Sequence, residues 1–381
     1  VDYHDTRNNQ SLIHNFKGTH VYNSIIDKDV IELFEFNNVR TNLSSSAYMG
    51  LDNISSLEAL LGVKYYISEK EDSPFVPYGF TPIHKDEKAV IYENKHHLAL
   101  GFVYYDYIAK DKLKSLFPLD RLYAMLDGVV LEEAVKGIDE STIQRYSEAI
   151  DYEILDKDGV KVKDHKFIVS KKNGKMTIRV KNTQNKEVYL SIDRIFYKNP
   201  NKDFKVSVKV KDMKKTIETR NVQSPYYVDN RDYLYHIGYT DEDFMDITLS
   251  FSLKGEYDFK DLNFSAMPME KYEDQINELK RTVLEDIEYG NNFVKGNVHL
   301  EDKGILYLSI PYTPGWEAYD NGKKISTFKA NTAFTGLLLE EGSHEIYLQY
   351  KTPLLTPSIF ISVAGACVFA YLIYYNRKKK A

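Results

Sequence analysis

The chain has 381 residues, 43% hydrophobic and 28% charged, which describes a folded protein with room for roughly two or three domains. Its net charge is −6, yet Arg377, Lys378, Lys379 and Lys380 stand together at the end, and the 50 basic residues less these four face 56 acidic ones. So acidic a body excludes nucleic acid as the partner, because phosphate binding needs a basic stripe.

In chain order, residues 1–110 read as a mixed α/β domain. Apolar spacing at Ile26, Val30, Leu33 and Phe34 predicts a helix. Ser55 with Glu58 three residues on reads as a capping box, Gly62 as the end of that helix, and Val63 to Ile67 as a buried strand. A turn-rich segment, EKEDSPFVPYGF, precedes strands in KAVIYEN and LALGFVYYDYI. Residues 111–150 read as a helical connector, with Leu122, Met125, Leu126, Val129 and Val130 on one side and Pro118 starting or breaking a helix.

From 151 to 352 short alternating segments predict an antiparallel β-sandwich, jelly-roll-like, punctuated by turn pairs such as Asp158-Gly159 and Asn173-Gly174. An inserted helix is expected at about 268–290, with Tyr272, Ile276, Leu279, Val283 and Ile287 on one face. The fold class is therefore α+β. The uncharged run from Leu354 to Tyr375 is long enough to span a bilayer core, which needs about 20 residues. Small residues within it and Tyr371, Tyr374 and Tyr375 at its end fit a membrane helix. The basic tail at 376–381 then places the C-terminus in the cytoplasm and residues 1–352 outside. The chain opens on Val1 without a charged-then-apolar leader, so more membrane segments are expected before it.

The sole tryptophan, Trp316, lies in IPYTPGWEAYDNGKK. Asn321-Gly322 predicts a two-residue hairpin between Trp316–Asp320 and Lys324–Phe328. Alternation puts Trp316, Ala318 and Asp320 on one face and Glu317 and Tyr319 on the other. Trp316, Tyr319 and Asp320 are the candidate glycan-binding residues, since an aromatic face beside a carboxylate suits a sugar ring. Burial of Trp316 as a plug of the sandwich is the favoured reading, because a lone Trp in a Pro- and Gly-rich loop usually packs inward.

Other chemistry is sparse. The one cysteine, Cys367, allows neither an intrachain disulfide nor a thiolate metal site, and the adjacent His96-His97 point apart along a strand. No Gly-rich phosphate loop, zinc helix motif or Gly-x-Ser-x-Gly elbow occurs, so no catalytic, cofactor-binding or metal residue is assigned. Glu132-Glu133 and Glu340-Glu341 read as solvated pairs, and Lys171-Lys172 and Lys214-Lys215 as candidate basic patches.

Three stretches resemble the YfhO family of bacterial membrane proteins, which are polytopic and GT-C-like. They are LEALLGVKYYIS (Leu57 to Ser68), VIYENKHHLALGFVY (Val90 to Tyr104) and the long segment from Leu306 to Pro353. The resemblance implies a glycosyltransferase that adds sugar from a lipid-phosphate-linked donor to a teichoic-acid-type polymer outside the cell. Its catalytic acid would lie in an outer loop near the first membrane helices, so none is carried over to this chain. The expected partners are the lipid bilayer, the preceding membrane helices of the same protein and an anionic cell-wall polymer. The alternative is a non-catalytic, membrane-anchored surface module that binds glycan or a partner protein.

Overall fold

The computed structural model describes residues 1–3, 9–23, 26–39, 43–44, 47–68, 76–211, 213–225, 227, 229 and 231–380. The turn segment expected at 69–75 lies outside the described residues. Antiparallel sheets dominate, with a few helices and one C-terminal apolar helix, so the α+β class holds.

The first part of the chain packs two small sheets against helices. Strand Tyr65–Ser68 pairs in parallel with Asp2–Tyr3 and antiparallel with Val90–Asn94. Helix Lys28–Phe36 starts at Asp27, whose carboxylate accepts from the Asp29 amide, and buries Val30, Leu33 and Phe34 as the spacing predicts. Helix Ser55–Leu60 has no side-chain cap: its N-cap is Ile54, and the expected Ser55–Glu58 box is absent. Both residues are instead buried in tertiary contacts. Gly62 does end this helix, at φ 65°, with the Val63 amide donating back to the Glu58 carbonyl.

The helical reading of 111–150 holds only for Lys110–Leu113 and Pro118–Asp127, with Pro118 in the first turn. Gly128 breaks the pattern, and Val129–Leu131 is a strand parallel to Asp106–Ala109. β-Branched Val129 and Val130 suit that strand better than a further helical turn.

The single sandwich expected over 151–352 is two. The central one holds a five-stranded sheet running Tyr152–Asp158, Gly174–Lys181, Phe244–Phe251, Phe204–Val210 and Met213–Thr219. Its second sheet runs Glu148–Ala149, Asp261–Pro268, Lys186–Asp193 and Tyr233–Thr240. Phe167, Ile178, Leu190, Val206, Leu249 and Tyr257 fill the space between. The C-terminal sandwich has its own core of Leu284, Leu300, Leu306, Ala318, Ile346 and Leu348. One of its sheets is completed by Gly101–Tyr104, a strand from the first part, paired with Gly304–Pro311.

The helix expected at about 268–290 spans Met269–Leu279 only. Tyr272, Ile276 and Leu279 are buried on one face, but Ile287 lies in strand Glu285–Tyr289. Backbone capture explains the early stop. The Val103 amide donates to the Thr282 carbonyl and the Leu284 amide to the Gly101 carbonyl, drawing 282–284 onto the neighbouring strand. The last element, Leu355–Lys380, is a helix long and apolar enough to cross a membrane, and none of it is buried.

Candidate functional site

The Asn-Gly hairpin forms as read. Asn321 and Gly322 have φ of 47° and 77°, and Tyr319 pairs with Lys324. Strand Trp316–Asp320 also pairs with Gly342–Tyr350, placing Trp316 opposite Tyr350 and Tyr319 opposite Tyr347. The second arm ends at Ile325; from Thr327 the chain crosses to the other sheet of the sandwich.

The three candidate residues do not converge. Ala318, on the face of Trp316, is fully buried, and Trp316 packs half-buried against that core with Tyr350 edge-on at 5.3 Å. Asp320 meets the Nδ1 of His344 at 2.9 Å, and the other ring nitrogen faces the Glu340 carbonyl. Tyr319 is on the opposite, outer face. There it forms a row with Tyr347 and Phe293, with centroids 6.1 and 6.3 Å apart.

The outer face also holds a charge cluster. Glu317 accepts from Lys324 at 2.6 Å, Lys351 at 2.5 Å and the Tyr319 hydroxyl at 3.2 Å. The two ammonium groups hold its carboxyl down to about 2. A half-buried aromatic row edged by ionic groups can take the apolar face of a ring and bond its hydroxyls. Gly315 allows the tight approach that joins this end to the helix: the Lys351 amide donates to its carbonyl, and a Cβ there would meet Tyr350 at 2.4 Å.

A second constellation, absent from the sequence reading, lies where the first part meets the central sandwich. Glu187 is fully buried. Its carboxylate accepts from Ser55 at 2.5 Å, Tyr123 at 2.9 Å and Tyr189 at 2.7 Å, and His236 lies 3.2 Å away. Burial pushes its pKa up, but His236, Ser55 and Tyr189 hold it below the usual range. Beside it Lys215 pairs with Asp52 at 2.7 Å and donates to the Asp52 carbonyl. Asp52 and Asn53 are both left-handed, at φ 58° and 62°, so this clamp holds a strained corner leading into helix Ser55–Leu60. The basic patch expected at Lys214-Lys215 is thereby excluded, since Lys215 is buried; Lys171 is paired to Asp158.

Two further carboxyls complete the junction. Asp2 meets His20 at 2.9 Å and accepts from Thr19, and these contacts overcome burial to keep it ionised. Glu58, also fully buried, is raised well above its ordinary range by burial and then by Asp2. Among the described residues no N–H or hydroxyl reaches either Glu58 oxygen, and its neighbour in this buried pocket is the Asp2 carboxyl, with which it titrates as a pair. The whole constellation is closed to solvent, so its chemistry is that of a joint. Nothing in local sequence marks it; only the rarity of buried carboxylates would. Among the described residues no group of three or more His, Cys, Asp or Glu is placed to hold a metal ion.

The family model described as "Bacterial membrane protein YfhO" matches residues 2–362. The chain belongs to the YfhO family. A curated YfhO relative, the uncharacterized protein YfhO of Bacillus subtilis (strain 168), is 26% identical over 386 residues. The match takes in 98% of this chain but 42% of that protein, so the chain spans less than half the length of its YfhO relative. Solved structures give faint likenesses. A Paenibacillus sp. cycloisomaltooligosaccharide glucanotransferase complexed with cycloisomaltoheptaose aligns over 52% of this chain and 45% of that one, at 6% identity and TM-score 0.20. Arabinofuranosyltransferase AftD from Mycobacteria aligns over 47% of this chain and 14% of that one, at 14% identity and TM-score 0.19. Scores this low carry no argument about a YfhO chain. Family membership, with helix Leu355–Lys380, establishes a membrane protein.

Proposed function

We propose that this chain is the extracytoplasmic C-terminal part and last membrane helix of a polytopic glycosyltransferase. That enzyme moves sugar from a lipid-phosphate-linked donor to a teichoic-acid-type polymer, and the folded part of this chain lies over its membrane-embedded centre and steadies the acceptor. The observation that carries the reading is the aromatic row Tyr319–Tyr347–Phe293 on a sandwich joined directly to the membrane helix. The helix starts about five residues beyond Tyr350, which bounds the separation at about 17 Å of extended chain. Arg377 to Lys380 form the last turn of the helix, beyond its apolar run, and favour a cytoplasmic C-terminus.

The test uses the full-length protein in its own host, with the gene deleted and then restored as wild type or as Tyr319→Ala with Tyr347→Ala. Wall-polymer glycosylation is measured beside protein abundance. Loss on deletion, recovery with wild type and a deficit in the variant at normal abundance are the expected results. Unchanged glycosylation after deletion overturns the transferase reading.

A further inference from the structure

A cleft of about 400 Å³ opens between residues 115–120, Arg145 and the strand Asp261–Pro268. None of the contacts described so far uses it. Alternation along that strand sends Phe264 and Ala266 into the central core and turns Asn263 and Ser265 the other way, under helix Pro118–Asp127. Register places Ser191 opposite Asn263 and Tyr189 opposite Ser265, so these side chains share one face.

Among the described residues the buried hydroxyl of Ser265, 4% exposed, finds no partner, and it lines the cleft; the hydroxyl of Ser191, opposite Asn263 on the same face, is likewise unpaired. Buried hydroxyls are normally satisfied, so the Ser265 hydroxyl fits a ligand that brings its own donors and acceptors. Arg145 adds a directed donor set. Its Nε donates to the Ser147 carbonyl at 3.1 Å, which fixes the guanidinium plane at the rim and leaves the two Nη groups for a ligand. Leu116 and Phe117 supply an apolar wall.

Charge selects the ligand class. Asp120 also lines the cleft, anchored by the Tyr146 and Ser147 amides at 2.9 and 2.7 Å, and it offsets Arg145. At the far end of the same strands Asp193, Asp232 and Asp261 crowd together. A phosphate entering here is opposed by the Asp120 carboxylate and the acidic end of the strands; an uncharged ring feels no such repulsion. We propose that this cleft is a subsite for an uncharged hexose or N-acetylhexosamine ring, bonded by Arg145, Asn263 and Ser265 and seated on Leu116 and Phe117. The inference rests on the transferase reading only for where the ring comes from, donor or acceptor.

Saturation-transfer NMR on the full chain in detergent tests it, with glucose and N-acetylglucosamine as probes and inorganic phosphate as the charged control. Either sugar is expected to receive saturation at its ring protons. Asn263→Ala and Arg145→Gln, both at exposed positions, are each expected to weaken binding about fivefold, the worth of one hydrogen bond, with the melting temperature unmoved. No transfer to either sugar, equal transfer in both variants, or displacement by equimolar phosphate overturns the proposal. Because nothing in this readout depends on glycosylation in cells, the subsite and the transferase reading fail separately.

Discussion

Ser55 donates its hydroxyl to Glu187 at 2.5 Å across 132 residues of sequence, joining the helix at Ser55–Leu60 to strand Lys186–Asp193 of the central sandwich. Removing the acceptor leaves Ser55, Tyr123 and Tyr189 without their partner and takes away the carboxylate that His236 faces. Glu187→Ala is therefore expected to destabilise by about 3 kcal/mol or more, since three buried hydroxyl donors each lose their acceptor at about 1–3 kcal/mol. Ser55→Ala, which removes one donor, should cost about 1–3 kcal/mol. Denaturant titration of the chain in detergent measures both, and a midpoint unmoved by Glu187→Ala would remove the junction from the stability of the fold.

The same junction makes stability depend on pH in two directions. Glu187 and Asp2 titrate below their ordinary values of 4.5 and 3.8 despite burial, so the stability they add is present above those values and is lost as acid protonates the folded forms. Glu58 works the other way: burial and Asp2 raise it well above 4.5, so its stabilisation is full below 4.5 and is lost as pH rises towards its folded value. Glu58→Gln keeps the neutral shape and a donor for Asp2. It is expected to flatten the alkaline-side decline in a plot of melting temperature against pH while leaving the acid limb in place. A wild-type profile rising steadily from pH 5 to 8 would contradict the assignment.

Gly322, at φ 77°, meets nothing within 4 Å of an added Cβ, so the cost of Gly322→Ala is purely conformational. A left-handed alanine costs about 1–2 kcal/mol, and the melting temperature should drop accordingly without a change in sheet content by circular dichroism.

Trp316 gives a single-probe test of where the sandwich sits. It pairs with Tyr350, and helix Leu355–Lys380 follows at once, so its ring is held near headgroup level if the helix spans the bilayer. In nanodiscs, lipids brominated high on the acyl chain are expected to quench its fluorescence more than lipids brominated near the chain end. Quenching by neither would place this end of the sandwich away from the membrane.

Local chemistry was readable in the sequence; long-range capture was not. The Asn321-Gly322 turn, the alternation from Trp316 to Asp320, the helix stop at Gly62 and the apolar run after Leu354 each follow from neighbours in the chain. The spacing Tyr272, Ile276, Leu279, Val283, Ile287 is equally helical on paper, yet Gly101 and Val103 take the backbone at 282–284 and end the helix. Ser55 and Glu58 carry a capping signature and spend their side chains elsewhere. The candidate trio failed to converge for a reason the sequence did contain, since a period of two separates Tyr319 from Trp316 and Asp320. Tyr319 gained its real neighbours, Tyr347 and Phe293, from pairings that no local pattern announces.

Strand Gly101–Tyr104 closes a sheet whose other members come about 200 residues later, with Tyr104 set against Ile305. At about 5–20 residues per second, a ribosome finishes that partner roughly 10–40 s after the first strand has emerged. For that interval an apolar edge, Gly-Phe-Val-Tyr, waits without its mate while the central sandwich is made and folded in between. The last sandwich is thus the final knot tied in this chain, and truncation anywhere before Gly304 should leave a sticky fragment rather than a smaller working protein.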